Sequence, residues 1–312
     1  PLGGAARDFA LSLDGDHAAL AHQDQNSVRQ DPRVVTNHQF GVQTAPVFVN
    51  DAGTGVANLV MFAATIVADI DGNFATLATN PDIGGVGALV IDRDAGEVVA
   101  NFKTENEAGG VVSFANPAGN SAFIDDRTYG VAVKDGATTP GLVVISQAAV
   151  SAPQPCVCAF VPWGLWAVGH NSPGEIGNLV SDVGAYFAGV PTPDIDMPIS
   201  GSATYSGQAY ASLLTPANAT PAFATGAFTL NTNFAAGVST GQMHLNDESF
   251  SVLGQHVRGN SVLTVDYINT GRIVGNGHGA FFGPQAQNVG VTIDIDNGAG
   301  LKAAGVAVGE RR

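Results

Sequence analysis

Paired aspartates are the first residues in this chain whose type and spacing could do chemistry. Two aspartates separated by one residue occur at residues 69–72 (DIDG), 92–94 (DRD), 194–196 (DID) and 294–297 (DIDN). In an extended chain both carboxylates of such a pair point to the same side. Calcium prefers clustered oxygen ligands, which makes Asp69, Asp71, Asp294 and Asp296 candidate ligands. The EF-hand spacing is absent, and a solvated turn without metal is the alternative at each position.

The two cysteines, Cys156 and Cys158, stand one residue apart in the segment PCVCAF. Both thiols would point to the same face of a strand, and a disulfide between them needs a distorted backbone. Three alternatives stay open: free or buried thiols, a strained local disulfide, and metal or intermolecular chemistry. None of the three makes this segment a catalytic site.

The seven histidines are dispersed at positions 17, 22, 38, 170, 244, 256 and 278. His244, His256 and His278 fall in neighbouring strand-like runs and would hold a metal or haem if they met across the strands, whereas surface or turn histidines are the alternative. The sequence has no H-E-x-x-H or Ser/Thr-x-x-Lys catalytic signature. We therefore expect a protein that is not an enzyme and has no resident cofactor, with calcium and haem as the candidates to test.

The charge balance limits the classes of partner. The chain has 12 basic and 27 acidic residues, for a net charge of −15. Binding to nucleic acid or to an anionic membrane requires positive charge that this composition does not supply. No run of 18 apolar residues is present, so we expect no membrane-spanning helix.

Turn signals and composition predict an all-β protein. Charged residues make up 12% of the chain and glycine supplies 40 positions, which is typical of strands joined by tight turns. Asp-Gly and Asn-Pro turns recur between residues 34 and 150, and prolines cluster at residues 153–162. We predict an N-terminal segment at residues 1–33, a β-sandwich or partly closed barrel at residues 34–155, and a barrel domain at residues 156–312.

The second domain is predicted to be an eight-stranded antiparallel β-barrel. More strand-like runs occur than eight strands require, so one or two early runs are expected to cap the barrel, and a short helix is an alternative within residues 172–187. The predicted strands are residues 163–170, 185–189, 202–214, 225–234, 237–246, 249–258, 260–267, 272–282, 288–295 and 301–308.

Four segments of the barrel region resemble the β-barrel lobe of the transferrin-binding protein B family of bacterial surface proteins. They are GSATYSG at residues 201–207, GAFTLNTNF at 226–234, GAFFGPQAQNVGV at 279–291 and GVAVGER near the end of the chain. The Phe-Gly-Pro-x-Ala corner is the specific part of the match, which covers about a third of the chain. Asn288 and Val291 stand where the family usually has Glu and Gly.

The resemblance implies an extracellular or outer-surface bacterial protein that binds a protein or an iron- or haem-bearing ligand through its loops. An alternative from a different class is a structural subunit of an extracellular fibre, sheath or coat. Such a subunit would assemble by adding strands at an open sheet edge.

Overall fold

The computed structural model describes strands in the first part of the chain and a continuous chain from residue 190 to residue 312. The surroundings of side chains are described for residues 59–64, 158, 160, 161, 163, 185–217, 222 and 224–312. In this part of the chain no helix has the length and apolar character needed to cross a bilayer.

The strands before residue 190 form a hairpin and one large antiparallel sheet. The hairpin pairs β1 with β2, and the sheet has ten described strands in the order β7-β6-β5-β3-β12-β11-β10-β9-β8, with β4 also paired to β3. The strands are β1 (Ala10–Asp14), β2 (His17–Ala21), β3 (Val56–Ala68), β4 (Phe74–Thr79), β5 (Ala88–Asp92), β6 (Glu97–Lys103), β7 (Val111–Phe114), β8 (Ala122–Phe123), β9 (Thr128–Lys134), β10 (Pro140–Gln147), β11 (Trp163–Asn171) and β12 (Leu179–Gly189).

Strand β3 is the centre of this sheet because its sequence, VANLVMFAATIVA, is the longest apolar run of the chain. It pairs with β12 over Val60↔Gly189 to Val67↔Asp182, and with β4 and β5 on its other side. The described side chains from Met61 to Ala64 are fully buried. A continuous apolar run is expected for a strand that is covered on both faces.

Eight consecutive antiparallel strands close into a barrel from residue 202 to residue 311. The last strand pairs back onto the first, with Gly207 opposite Gly309. A 3-10 turn, Asp194–Asp196, precedes the barrel. The strands are β13 (Ser202–Thr215), β14 (Asn218–Asn233), β15 (Val238–Leu245), β16 (Glu248–His256), β17 (Val262–Asn269), β18 (Arg272–Phe282), β19 (Asn288–Asp296) and β20 (Lys302–Arg311).

Alternation of side chains along each barrel strand fills the interior. In β16, for example, Phe250 and Val252 are buried while Ser249 and Ser251 are exposed. The inward residues form one apolar cluster that includes Tyr205, Phe228, Leu230, Met243, Leu263, Tyr267, Phe281, Val291 and Ile293. An eight-stranded barrel is just wide enough for side chains to fill it, which is what these residues do.

The sheet packs against the outside of the barrel wall. The Phe62 and Phe187 rings of the sheet stack at 4.8 Å, and the barrel residue Phe282 meets each of them edge-on at 6.4 and 5.9 Å. Trp163 lies on Tyr210 of β13, with ring centroids 3.9 Å apart. Aromatic contacts of this kind add to the stabilisation from apolar burial, so the sheet and the barrel share a second core.

The predicted fold class is confirmed: the described chain is all-β and ends in an eight-stranded antiparallel barrel. The described N-terminal strands form a separate hairpin and one large sheet, and the barrel wall packs against the large sheet as a second layer. The predicted domain boundaries stay predictions, but the pairing places β11 and β12, which follow residue 156, in the sheet with β3. Residues 179–187, part of the segment for which a short helix was an alternative, are strand.

Candidate binding surface

The barrel corner at Gly283 joins two of the segments that carry the family resemblance. Gly283 has φ +73°, and a Cβ there would lie 2.6 Å from the Phe160 ring, so only glycine fits this backbone and this contact. Ala286, two residues beyond Pro284, is fully buried, and its carbonyl accepts a 2.7 Å hydrogen bond from the Tyr205 hydroxyl. Burial raises the pKa of Tyr205, and the nearby Arg311 charge opposes that shift only in part. The tyrosine therefore stays protonated and acts as a donor that fastens the corner to β13.

Asn288, one of the two departures from the family pattern, has a structural role at the junction between sheet and barrel. Its side chain is fully buried, and its Oδ1 accepts a 3.0 Å hydrogen bond from the backbone N–H of Phe160. Its Nδ2 donates to the carbonyl of Gly309 at 3.4 Å. An amide both accepts and donates, which a glutamate carboxylate cannot do. Asn288 thus satisfies a buried donor and a buried acceptor together.

Residues 190–201 cross from the sheet to the barrel, and we name them the crossover segment. Thr192 fixes the start of the segment to the corner: its N–H donates to the Phe281 carbonyl at 2.8 Å, and its hydroxyl donates to the Gly283 carbonyl at 2.7 Å. Met197 inserts into the barrel core and is 4% exposed. The Gly201 carbonyl accepts from the Phe234 N–H at 3.0 Å. The segment is therefore anchored at its beginning, middle and end.

Three of the four most exposed large apolar side chains in the described residues lie at this end of the barrel: Ile195 (92% exposed), Ile199 (55%) and Val257 (74%). Ile199 lies beside the β16–β17 turn, where its Cγ2 is 3.7 Å from the position that a Cβ on Gly259 would occupy. Arg258 Nε donates to the Ile199 carbonyl at 2.9 Å. We name Ile195, Ile199 and Val257 the crossover patch. Sequence reasoning missed it, although the proline-rich run PTPDIDMPIS was a signal for a constrained segment.

The candidate calcium ligands Asp294 and Asp296 lie towards the opposite end of the barrel. Asp296 accepts from Lys302 Nζ at 2.6 Å and from the Gly298 N–H at 2.9 Å. The Lys302 hydrogen bond, followed by the Gly298 hydrogen bond, lowers the pKa of Asp296. Within the described residues no three His, Cys, Asp or Glu side chains group as a metal site would need. Asp69 and Asp71 lie outside the described residues, and calcium binding stays a prediction.

The three barrel histidines do not share one face. His256 is at the end of β16, between the rings of Phe234 and Phe281 at 5.9 and 5.4 Å, and neither ring nitrogen has a hydrogen-bond partner. His244 is exposed on the outer face of β15, where Nδ1 lies 2.9 Å from Ser249 Oγ. His278 projects from the outer face of β18, because the alternate positions Ala280 and Phe282 face the sheet. The three histidines therefore do not present their rings to one another as a shared metal or haem site would require.

Burial lowers the pKa of both His256 and His278. For His278 the charge of Asp294 opposes this shift. Neutral imidazoles are therefore favoured at both positions, and haem binding stays a prediction without a histidine cluster to hold it.

Cys158 lies in the shared core of sheet and barrel. It is disulfide-bonded and 4% exposed, with φ +50°, and its carbonyl accepts from the Val161 N–H at 3.1 Å. The backbone distortion that a local disulfide would need is thus present at this residue. Cys156 lies outside the described residues, so its pairing with Cys158 stays a prediction.

Comparison with known proteins gives similarity at the level of solved structures. No protein-family profile and no curated protein matches the chain. A transferrin-binding protein B double mutant from Haemophilus parasuis Hp5 is 15% identical, with a TM-score of 0.45, over 81% of this chain and 45% of the other. The isotype 1 protein from serogroup B Neisseria meningitidis is 15% identical, with a TM-score of 0.40, over 81% and 43%.

A third similar structure is HpuA from Kingella denitrificans in complex with human haemoglobin. It is 11% identical, with a TM-score of 0.39, over 87% of this chain and 95% of the other. This chain spans less than half the length of the transferrin-binding protein B structures that it matches. The solved structures similar to this chain include transferrin-binding protein B, the family that its barrel motifs resemble.

Proposed function

We propose that this protein is a non-enzymatic binding protein on the outer surface of a bacterium and that it captures an iron-bearing protein. The observation that carries the proposal is a barrel filled by its own side chains whose two most exposed large apolar side chains in the described residues, Ile195 and Val257, lie at the same end. A filled barrel has to bind its partner on the outside. Exposed apolar clusters at an otherwise polar surface mark sites of protein contact. The resemblance of the barrel motifs supplies the surface location and the class of ligand.

The polar groups of the resembling motifs support a scaffold role. Tyr205 fastens the corner, and Asn288 joins sheet to barrel. Each of these groups is buried and uses its hydrogen bonds within the protein. They hold the barrel in shape while the outer ends remain available for contact.

Assembly into a fibre is the competing function. Strand addition needs an open edge. The eight barrel strands offer none because they pair with one another all the way round, so the end strands β7 and β8 of the large sheet are the described strands at which addition would have to occur. Size-exclusion chromatography and electron microscopy of purified protein distinguish the two functions. We expect a soluble monomer, and filaments would favour the fibre.

The direct test immobilises the full chain and measures binding to transferrin, lactoferrin and haemoglobin by biolayer interferometry, with albumin as the protein that carries no iron. We expect one iron-bearing protein to bind with a Kd in the micromolar range or tighter, and albumin not to bind. Iron-free transferrin and lactoferrin show whether the iron-loaded form is preferred. Antibody labelling of intact cells tests the surface location. Binding of no panel member above the albumin signal would refute the proposed ligand class.

A further inference from the structure

The crossover patch is presented on a backbone that is already fixed. The Asp196 and Met197 N–H groups donate to the Pro193 carbonyl at 2.8 and 3.1 Å, which closes a turn around Ile195. The buried Met197 side chain follows directly. Ile195 therefore sits at the apex of a tied turn and not on a loose loop.

The second half of the patch is fixed from the barrel side. Val257 lies in the β16–β17 turn. Its carbonyl accepts a hydrogen bond from the Asn260 N–H at 2.8 Å. The Arg258 hydrogen bond to the Ile199 carbonyl joins this turn to the crossover segment. Ile195 and Ile199 are four residues apart, so their Cα atoms lie within about 14 Å of each other. These dimensions suit one contact area for a single partner segment.

A fixed apolar surface binds with a smaller entropic cost than a surface that must first be ordered. Burial of the exposed isoleucines against a partner therefore requires little further ordering of the backbone that carries them. Three side chains do not form a pocket, so the partner has to supply apolar side chains that pack against them.

The charges around the patch indicate the rim of that partner surface. Asp194 and Asp196 flank Ile195, and Asp194 is exposed. Arg258 is a basic side chain beside Ile199, so the residues next to the two isoleucines supply two carboxylates and one guanidinium. The whole chain carries a net charge of −15. Complementary potentials bring partners together, which favours Lys and Arg around the partner's apolar surface.

We propose that the crossover patch is a protein-docking surface and that its partner presents apolar side chains surrounded by Lys and Arg. This inference rests on the proposed function for the existence of a protein partner, and it adds the place of binding and the chemistry of the partner.

The test uses a phage-displayed library of random linear peptides selected on the full chain. Enriched peptides are expected to combine Leu, Phe or Trp with Lys or Arg. Their binding is then measured on Ile195→Ser/Ile199→Ser and on the matched control Ile273→Ser. Ile273 is the second residue of β18, at the end of the barrel opposite to the crossover segment, and is 65% exposed. Burial of one isoleucine corresponds to roughly a tenfold change in affinity, so we expect about a hundredfold loss in the double variant and no change in the control.

A charge variant tests the second part of the proposal. Asp194→Asn/Asp196→Asn is expected to weaken the selected peptides and to reduce the dependence of their affinity on salt. Near-UV circular dichroism checks that each variant is folded. If the serine variant is not folded, Ile195→Ala/Ile199→Ala takes its place. Selection of no peptide, selection of acidic peptides, or equal affinity for wild type and double variant would each overturn the proposal.

The same variants separate this inference from the proposed function. Binding of an iron-bearing protein that is unchanged in the double variant would reject the docking surface and keep the function. Patch-dependent peptides with no binding to the iron-bearing panel would keep the docking surface and reject the ligand class.

Discussion

Gly283→Ala is expected to weaken the junction between sheet and barrel, and its cost follows from two features of one residue. The first is the backbone, which has φ +73° and places an L-residue in the left-handed region at a cost of about 1–2 kcal/mol. The second is the Phe160 ring, which lies 2.6 Å from the position of the new Cβ. Overpacking of a buried contact costs about 1–3 kcal/mol. The expected loss of stability is therefore about 2–5 kcal/mol.

A second glycine separates the two contributions. Gly298 has φ +67°, and a Cβ there would meet no atom within 4 Å. Gly298→Ala should therefore cost only the backbone contribution, about 1–2 kcal/mol. Pro284 restricts the backbone of the residue before it, so the backbone cost at Gly283 differs from that at Gly298. Phe160→Ala is therefore also measured, alone and combined with Gly283→Ala. The double-mutant cycle isolates the part of the cost that depends on the Phe160 ring.

Equilibrium urea unfolding followed by tryptophan fluorescence is a suitable assay, because Trp163 is buried against Tyr210 at this junction. We expect a coupling free energy of about 1–3 kcal/mol between positions 283 and 160. A coupling near zero would refute the reasoning, since the corner would then not hold the Phe160 ring. Equal losses in the two glycine variants would point to the same conclusion.

Further predictions concern the other contacts of the barrel. Tyr205→Phe leaves the buried Ala286 carbonyl without its donor and should lower the free energy of unfolding by about 1–3 kcal/mol; an unchanged urea midpoint would contradict this. Because burial lowers the pKa of His256 in the folded state, the unfolded chain takes up a proton first as the pH falls, so stability is complete above about pH 6.5 and decreases below it. His256→Leu should flatten this part of the pH profile, and an unchanged profile would contradict this reasoning. Because Lys302 already neutralises Asp296, we expect Asp294 and Asp296 to contribute no calcium-dependent rise in the melting temperature; a rise that Asp294→Asn/Asp296→Asn abolishes would establish a site there.

The barrel strands could be predicted from the sequence because each is marked by the pattern of its own side chains and by the turns on either side of it. Strands such as β16 (Glu248–His256) alternate between inward and outward side chains and lie between an Asn-Asp turn and a glycine-containing turn, so their limits are visible in the residues themselves. The partners of β11 and β12 were not predictable in this way. Gly189 pairs with Val60 across a long stretch of chain, and nothing near either residue encodes that choice. The sequence therefore predicts the strands better than the sheet to which each one belongs.

The candidate sites were predicted less well because a site depends on which residues converge. The histidine hypothesis required three side chains on one face, whereas β16 turns His256 inward and β15 turns His244 outward. The role of Asn288 was hidden for a related reason. Its two partners, Phe160 and Gly309, belong to different parts of the chain. Spacing along the sequence was informative only for residues within one strand or turn, where neighbours in sequence are also neighbours in the fold.

Met197 and Ile195 show how the crossover segment separates stability from binding. They are two residues apart in one tied turn, yet Met197 is buried in the barrel and Ile195 is 92% exposed. Removal of the Met197 side chain opens a cavity and should cost about 2–5 kcal/mol of stability. Ile195→Ser removes no contact of the folded monomer and should change stability by less than about 0.5 kcal/mol. Ile195→Ser therefore tests the proposed docking surface directly, because a loss of binding in this variant cannot be attributed to a loss of stability.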